Sequence, residues 1–277
     1  MKRLVLIAIW VACVSSGCSL LQNDDKDVAS KLPKPKAAPD SVGIELTFVR
    51  IPLKEDQVEQ SIWAEADEQC VEANVRLHLE RNGFRCGLVN QQLPTKLREL
   101  LDESHRSGNQ SADNVDLSTR TRRQTWHASK RVLIMATPSI NNFICLQSNA
   151  DEKQISGKAF NSGQGFFAAR AFPLDDGHVR FQLVPEVHHG EIKNQYVASE
   201  GSIQIQAGRE KYVIDDMTLE SILAPGQTLL LSCTSDHKGL GRTFFVDDQN
   251  GEPHQKMLLL RLIQTQKADL FDSLFDE

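Results

Sequence analysis

The chain has 277 residues, 40% of them hydrophobic and 25% charged, with 12 Phe, 3 Trp and 2 Tyr. This composition excludes collagen-like, coiled-coil and wholly disordered proteins, and the length allows one or two domains of roughly 100 to 200 residues. Lys and Arg number 31 against 37 Asp and Glu, and the net charge of −6 disfavours general nucleic-acid binding.

Lys2 and Arg3 form a charged start, residues 4–14 are an apolar run, and Ser15, Ser16 and Gly17 lead into Cys18. The run is shorter than the roughly 20 residues of a spanning helix and suits a secretory signal. Small residues directly before a cysteine resemble the bacterial lipoprotein signal. That resemblance implies removal of residues 1–17, lipidation of Cys18, and an exported protein anchored on a membrane and facing the periplasm or the cell exterior. Residues 18–42 then read as a tether, because KLPKPKAAP places three prolines in an otherwise polar stretch and favours an extended spacer.

From Gly43 the pattern is that of a small α/β module. Ile44, Leu46 and Phe48 alternate with Glu45, Thr47 and Val49, which predicts a strand over 43–52. From about Gln57, the residues Ile62, Ala66, Cys70, Ala73 and Leu77 recur at helical spacing, and Asn82-Gly83 ends that helix with a residue suited to the left-handed conformation. A second strand is expected over 84–89, and Pro94 opens a short helix carrying Leu97, Leu100 and Leu101. Residues 105–125 break every period and read as a polar linker. Arg120, Arg122 and Arg123 there form a basic cluster suited to anionic head groups or another envelope polymer, with a solvated face as the competing reading.

Beyond Trp126 the signals are those of β structure. Strands are expected over 132–136, 143–148, 166–172, 179–184, 202–206, 228–233, 243–246 and 257–263. In the last, Leu258, Leu260 and Leu262 share one face while Met257, Leu259 and Ile263 share the other, which predicts a central strand covered on both sides. Asn250-Gly251 before it is a hairpin-turn signal.

The segments VRFQLVPEV (179–187), PGQTLLLSC (225–233), GLGRTFF (239–245), the leucine-rich strand at 257–263 and MATPSINN (135–142) together resemble the C-terminal domain of the secretins, the outer-membrane gates of type II secretion and type IV pilus systems. The residues 234–238 leave too little chain for the family's Pro-rich element, and no pair of long alternating segments offers a lipid-facing hairpin. The resemblance therefore implies a degenerate, secretin-like envelope lipoprotein rather than a working channel. The fold class expected is α+β, a small N-terminal α/β module followed by a mainly antiparallel β domain. Its divisions are the signal 1–17, tether 18–42, module 43–104, linker 105–125, secretin-like domain 126–265 and tail 266–277.

Several residue sets could carry chemistry or contacts. His188, His189 and Glu191 are the densest potential metal ligands, although adjacent strand residues point to opposite faces and a polar strand edge competes with that reading. No nucleophile elbow, zinc-protease or phosphate-loop motif occurs, and no cofactor is expected. After Cys18, the cysteines are Cys70, Cys86, Cys145 and Cys233. One continuous helix to Asn82 would place Cys70 about 16 Å before its end and Cys86 about 10 Å into the returning strand, which argues against their pairing. Cys145 with Cys233 is the expected bridge, with four buried thiols as the alternative. In the tail, Leu270, Phe271, Leu274 and Phe275 would share one side of a helix and either dock on the domain or meet a partner. The expected function is that of a non-enzymatic binding or assembly component, attached to a membrane through its lipid and contacting envelope proteins or copies of itself. The alternative is an exported hydrolase or metal-dependent enzyme centred on His188 and His189.

Overall fold

A computed structural model describes residues 40–107, 121–148, 155–199, 202–247 and 253–266. In chain order the elements are β1 (Ser41–Pro52), α1 (Asp56–Trp63), a 3-10 turn (Glu68–Cys70), α2 (Ala73–Arg81), β2 (Phe84–Val89) and α3 (Thr95–Ser107). There follow β3 (Arg122–His127), β4 (Val132–Ile140), β5 (Phe143–Ser148), β6 (Ile155–Phe160), β7 (Gly163–Pro173), β8 (Val179–Ser199) and β9 (Ser202–Val213). After a second 3-10 turn (Asp215–Met217) come β10 (Leu219–Leu223), β11 (Thr228–Cys233), α4 (Gly239–Phe245), β12 (Val246–Asp247) and β13 (His254–Gln266). Every strand pair is antiparallel, so the protein is mainly antiparallel sheet with helices.

The first sheet runs β2-β11-β13-β1-β3, with β12 also on β13, and its registers follow from alternation. Leu46 faces Leu260 and Phe48 faces Leu258 across β1 and β13, so these four side chains fall on one face. That face joins the main core through Leu258, Leu260 and Leu262, while Met257 and Leu259 join a second core with Ile62, Trp63 and Leu97 of α1 and α3. β13 is thus covered on both sides, as its unbroken leucine run predicts.

The second sheet runs β10-β8-β7-β4, with β9 also on β8. Its inner face contributes Phe167, Ala169, Phe181, Leu183 and Leu219 to the main core. Trp126 on β3 meets Phe181 edge-on at 6.2 Å, and Phe84, Phe167 and Phe244 meet with ring centroids 5.3 to 6.0 Å apart. Each such ring buried stabilises the fold by about 1.5–3 kcal/mol through area, with further gain from edge-to-face geometry. The layers are therefore helices, first sheet and second sheet.

Three expectations are corrected. The strands of 43–104 do not form a separate module: β1 pairs with β13 and β2 with β11, and the described residues belong to one compact unit. The linker expected at 105–125 overlaps regular elements at both ends, since α3 continues to Ser107 and β3 begins at Arg122, and residues 108–120 of it lie outside the described residues. The strand expected at 243–246 is instead mostly α4, because Leu240 and Phe244, four apart, both enter the core.

The helix expected from Gln57 to Asn82 is also broken. Gly87 on β2 lets the ring of Trp63 and the methyl of Ala66 come so close that an added Cβ would lie 3.1 Å from each. Asp67 then bridges to Leu88, and its carboxylate accepts from Gln69 N at 2.8 Å, a local bond that competes with helix continuation. The helical phase is reset, so His78 and Leu79 are buried and Leu77 is exposed. The end of α2 is as predicted, with Asn82 as cap and Gly83 at φ 80.

Candidate functional site

β8 is far longer than the six residues its sequence pattern suggested, and the extra length leaves the sheet. Its start lies between β7 and β10, but the β7 pairing stops at Gln164 opposite His188 and the β10 pairing covers only Val179 to Leu183. Past that point β9 is the one strand paired with it among the described residues, from Glu186 opposite Val213 to Ser199 opposite Ser202. The register shifts between His189 and Lys193, Gly190 takes φ 75, and Gly190 N donates to Asn161 O at 3.1 Å. A bulge with a left-handed glycine bends and twists a strand pair. The outer part of the pair is consequently a two-stranded ribbon with open backbone edges. Ile192 and Ile205 on it are 67% and 64% exposed, and Lys193 Nζ meets Glu210 Oε1 at 3.3 Å.

The root of the ribbon is held by charge and ring contacts. Arg131 donates a short hydrogen bond to Glu186, whose Oε2 lies 3.0 Å from His188 Nε2, and the His188 ring lies 4.4 Å from that of Phe166. Burial pushes the Glu186 carboxyl up, but the hydrogen bonds from His188 and Arg131 outweigh it and hold the group below its ordinary range.

The structure does not assemble the proposed metal set. His188 shares the outer face with Glu186 and Phe166, whereas His189 stacks on Phe160 at 4.4 Å on the opposite side, and Glu191 is exposed. Strand alternation separates the two rings. Among the described residues no group of three or more His, Cys, Asp or Glu is placed to hold an ion.

Of the basic cluster, two residues are described. Arg122 and Arg123 lie on β3, and Arg123 Nε donates to Glu45 Oε2 at 2.8 Å. Beside them a cavity of about 680 Å³ between α3 and the first sheet sets Arg98, Arg123 and Arg261 against Glu45 and Asp102, a mixed lining that offers little net attraction to a polyanion. Arg120 lies outside the described residues, as do Cys18, the tether up to Pro39, and the tail residues Leu270, Phe271, Leu274 and Phe275.

The bridge expected between Cys145 and Cys233 is not formed, and all four described cysteines are free thiols. Cys145 stands opposite Lys158 on the small β5–β6 sheet, whereas Cys233 stands opposite Phe84 at the end of β11, so the two have different neighbours. Burial pushes their thiols up to about 11 and about 12. The pair argued against, Cys70 and Cys86, is the one the fold brings together: the Asp67–Leu88 bridge sets the first 3-10 turn against β2, and each thiol shifts the titration of the other.

One polar network had no sequence signal at all. His78 Nε2 lies 3.2 Å from Asp216 Oδ2, Gln147 Nε2 donates to both Asp216 oxygens at 3.0 and 3.1 Å, and Tyr212 donates to Gln147 Oε1 at 3.2 Å. It ties α2, β5, β9 and the second 3-10 turn, which only tertiary pairing makes neighbours. Cys145, on the same strand as Gln147, is buried, and burial pushes its thiol up.

Among the described residues no helix is long and apolar enough to cross a membrane. Comparison of the chain with family models, with curated proteins and with solved structures finds no match in any of the three, and the ribbon stands as the site that the fold itself singles out.

Proposed function

We propose that the protein is a non-enzymatic envelope lipoprotein, held on a membrane through Cys18, that acts as a binding or assembly component by presenting the β8–β9 ribbon to another envelope protein. The observation that carries this reading is the ribbon itself, which leaves the sheet at the Gly190 bulge with no further strand on either edge among the described residues and with Ile192 and Ile205 in solvent. An isolated two-stranded ribbon is marginal in water, and an open edge is a template for a further strand. The secretin-like segment VRFQLVPEV falls on β8, the strand that becomes the ribbon, so assembly beside a secretin-type system is the partner class this reading favours. In this reading the 43–104 segment acts as the α/β part of the unit, contributing α1, α2 and α3.

The test is a double substitution, Ile192→Lys with Ile205→Lys, in the tagged full-length protein. Both side chains are exposed, so the melting temperature should stay unchanged within about 2 °C. Envelope proteins crosslinked to the native ribbon should be lost from the variant. Retention of the same crosslinked partners at undiminished yield would refute the role of the ribbon.

A further inference from the structure

The bridge between Asp67 and Leu88 determines where two cysteines meet. Its hydrogen bonds, Asp67 N to Leu88 O at 2.8 Å and Leu88 N to Asp67 O at 2.9 Å, pin the first 3-10 turn against β2 in antiparallel sense. From that pin the chain advances three residues to Cys70 at about 2 Å each, while β2 runs back two residues to Cys86 at about 3.3 Å each. Both cysteines therefore lie about 6 to 7 Å from the pin in the same direction. A two-point ion pair, Arg85 to Glu68 at 2.7 and 3.1 Å, clamps the same two segments, and Arg76 Nη1 holds Glu68 O at 3.1 Å. Cys86 is 2% exposed in the main core, and Cys70, half-buried, packs against that core from the turn.

We propose that Cys70 and Cys86 are a redox pair that closes into a disulfide between the 3-10 turn and β2 when the protein meets an exchangeable disulfide, and that a dithiol reopens it. The two thiols already differ in role. The hydrogen bond from Cys86 holds the Cys70 thiol below its ordinary value, and the same bond together with burial holds Cys86 well above. Cys70 is thus the more acidic and the less buried thiol of the two, with Cys86 behind it in the core.

The exchange balances as follows. The Cys70 thiol gives its proton to water and, as the thiolate, attacks one sulfur of the oxidant disulfide, whose S–S bond breaks, and the departing thiolate takes a proton from water. Cys86 then gives up its proton and attacks Cys70 Sγ, expelling the second oxidant sulfur as a thiol. The protein loses two electrons and two protons, and the oxidant disulfide becomes two thiols. Cys145 and Cys233, buried and raised, do not enter this exchange.

The full-length protein, purified in detergent, is incubated with oxidised glutathione or with dithiothreitol, quenched with acid, unfolded, alkylated and cut with trypsin. The oxidised sample should contain peptide 55–76 joined to peptide 86–96, two hydrogens lighter than their sum, and dithiothreitol should abolish it. Cys145 and Cys233 should be recovered alkylated from both samples. Cys70→Ser, which alters a side chain at the margin of the core, should abolish the joined peptide and leave Cys86 alkylated. Recovery of both peptides unjoined from the oxidised native protein would overturn the proposal, as would a link dominated by any other pair of cysteines.

Discussion

At the scale of single residues, Glu186 carries the clearest electrostatic consequence. Its carboxylate is buried, bound by Arg131 and His188, and held below its ordinary range. A carboxyl depressed by folding contributes stability that is present above its unfolded pKa, near 4.3, and is lost as pH falls through the lower folded value. Glu186→Gln should therefore cost about 1–3 kcal/mol at neutral pH and progressively less toward about pH 3, because both proteins then carry an uncharged group there. Urea midpoints measured across that range test the sign: a difference between the proteins that grows on acidification would contradict it. The same residue accounts for the surroundings of His188, a candidate ligand in the sequence for which a polar strand edge was the competing reading. A histidine beside a glutamate reads as a metal site in sequence, but here the ring is occupied by Glu186 and Phe166.

At the scale of elements, the contact between the end of α2 and the start of α4 depends on backbone meeting backbone. Gly241 N donates to Asn82 O at 2.9 Å, and a Cβ added to Gly241 would sit 1.8 Å from Gly83 O. In an exposed helix, Gly→Ala is worth about 1 kcal/mol of stabilisation. Gly241→Ala should instead destabilise by about 2–4 kcal/mol, since two main chains must separate. Gly177→Ala is the comparison, because its φ of 83 is left-handed but nothing lies within 4 Å of an added Cβ, so only conformational cost of about 1–2 kcal/mol is expected. Denaturant unfolding of the two variants decides the matter, and equal losses would show that the close approach carries no energy of its own.

At the scale of the whole molecule, the first sheet joins strands from both ends of the described chain. β1 lies between β13 and β3, and β2 lies beside β11, so the segments on either side of residues 108–120 share one sheet and one core. A protease site inserted between Ser107 and Thr121 and then cut should leave the two fragments together in native gel filtration, parting only in denaturant. Separate elution of the fragments without denaturant would show that the two segments fold as independent bodies.

The sequence by itself determined what depends on neighbours a few positions away. β5 and β11 begin and end where their apolar runs between turn-rich pieces predict, Pro94 precedes α3, Gly83 follows α2, and the leucine run of β13 is covered on both faces. Alternation and cap chemistry are local, and those signals survive in the chain unread by any fold. The strands with few buried side chains escaped notice: β3 buries only Trp126 and β6 only Phe160. The tertiary structure alone decided the rest. It broke the 57–82 helix because Trp63 and Ala66 found the bare backbone of Gly87, and by that break it moved Cys70 onto β2 beside Cys86. It carried β8 past Gly190, where the described side chains, those of residues 191–194, are exposed and backbone pairing with β9 sustains the strand. Which strand meets which is settled by contacts across most of the chain length, and no window of a few residues contains them.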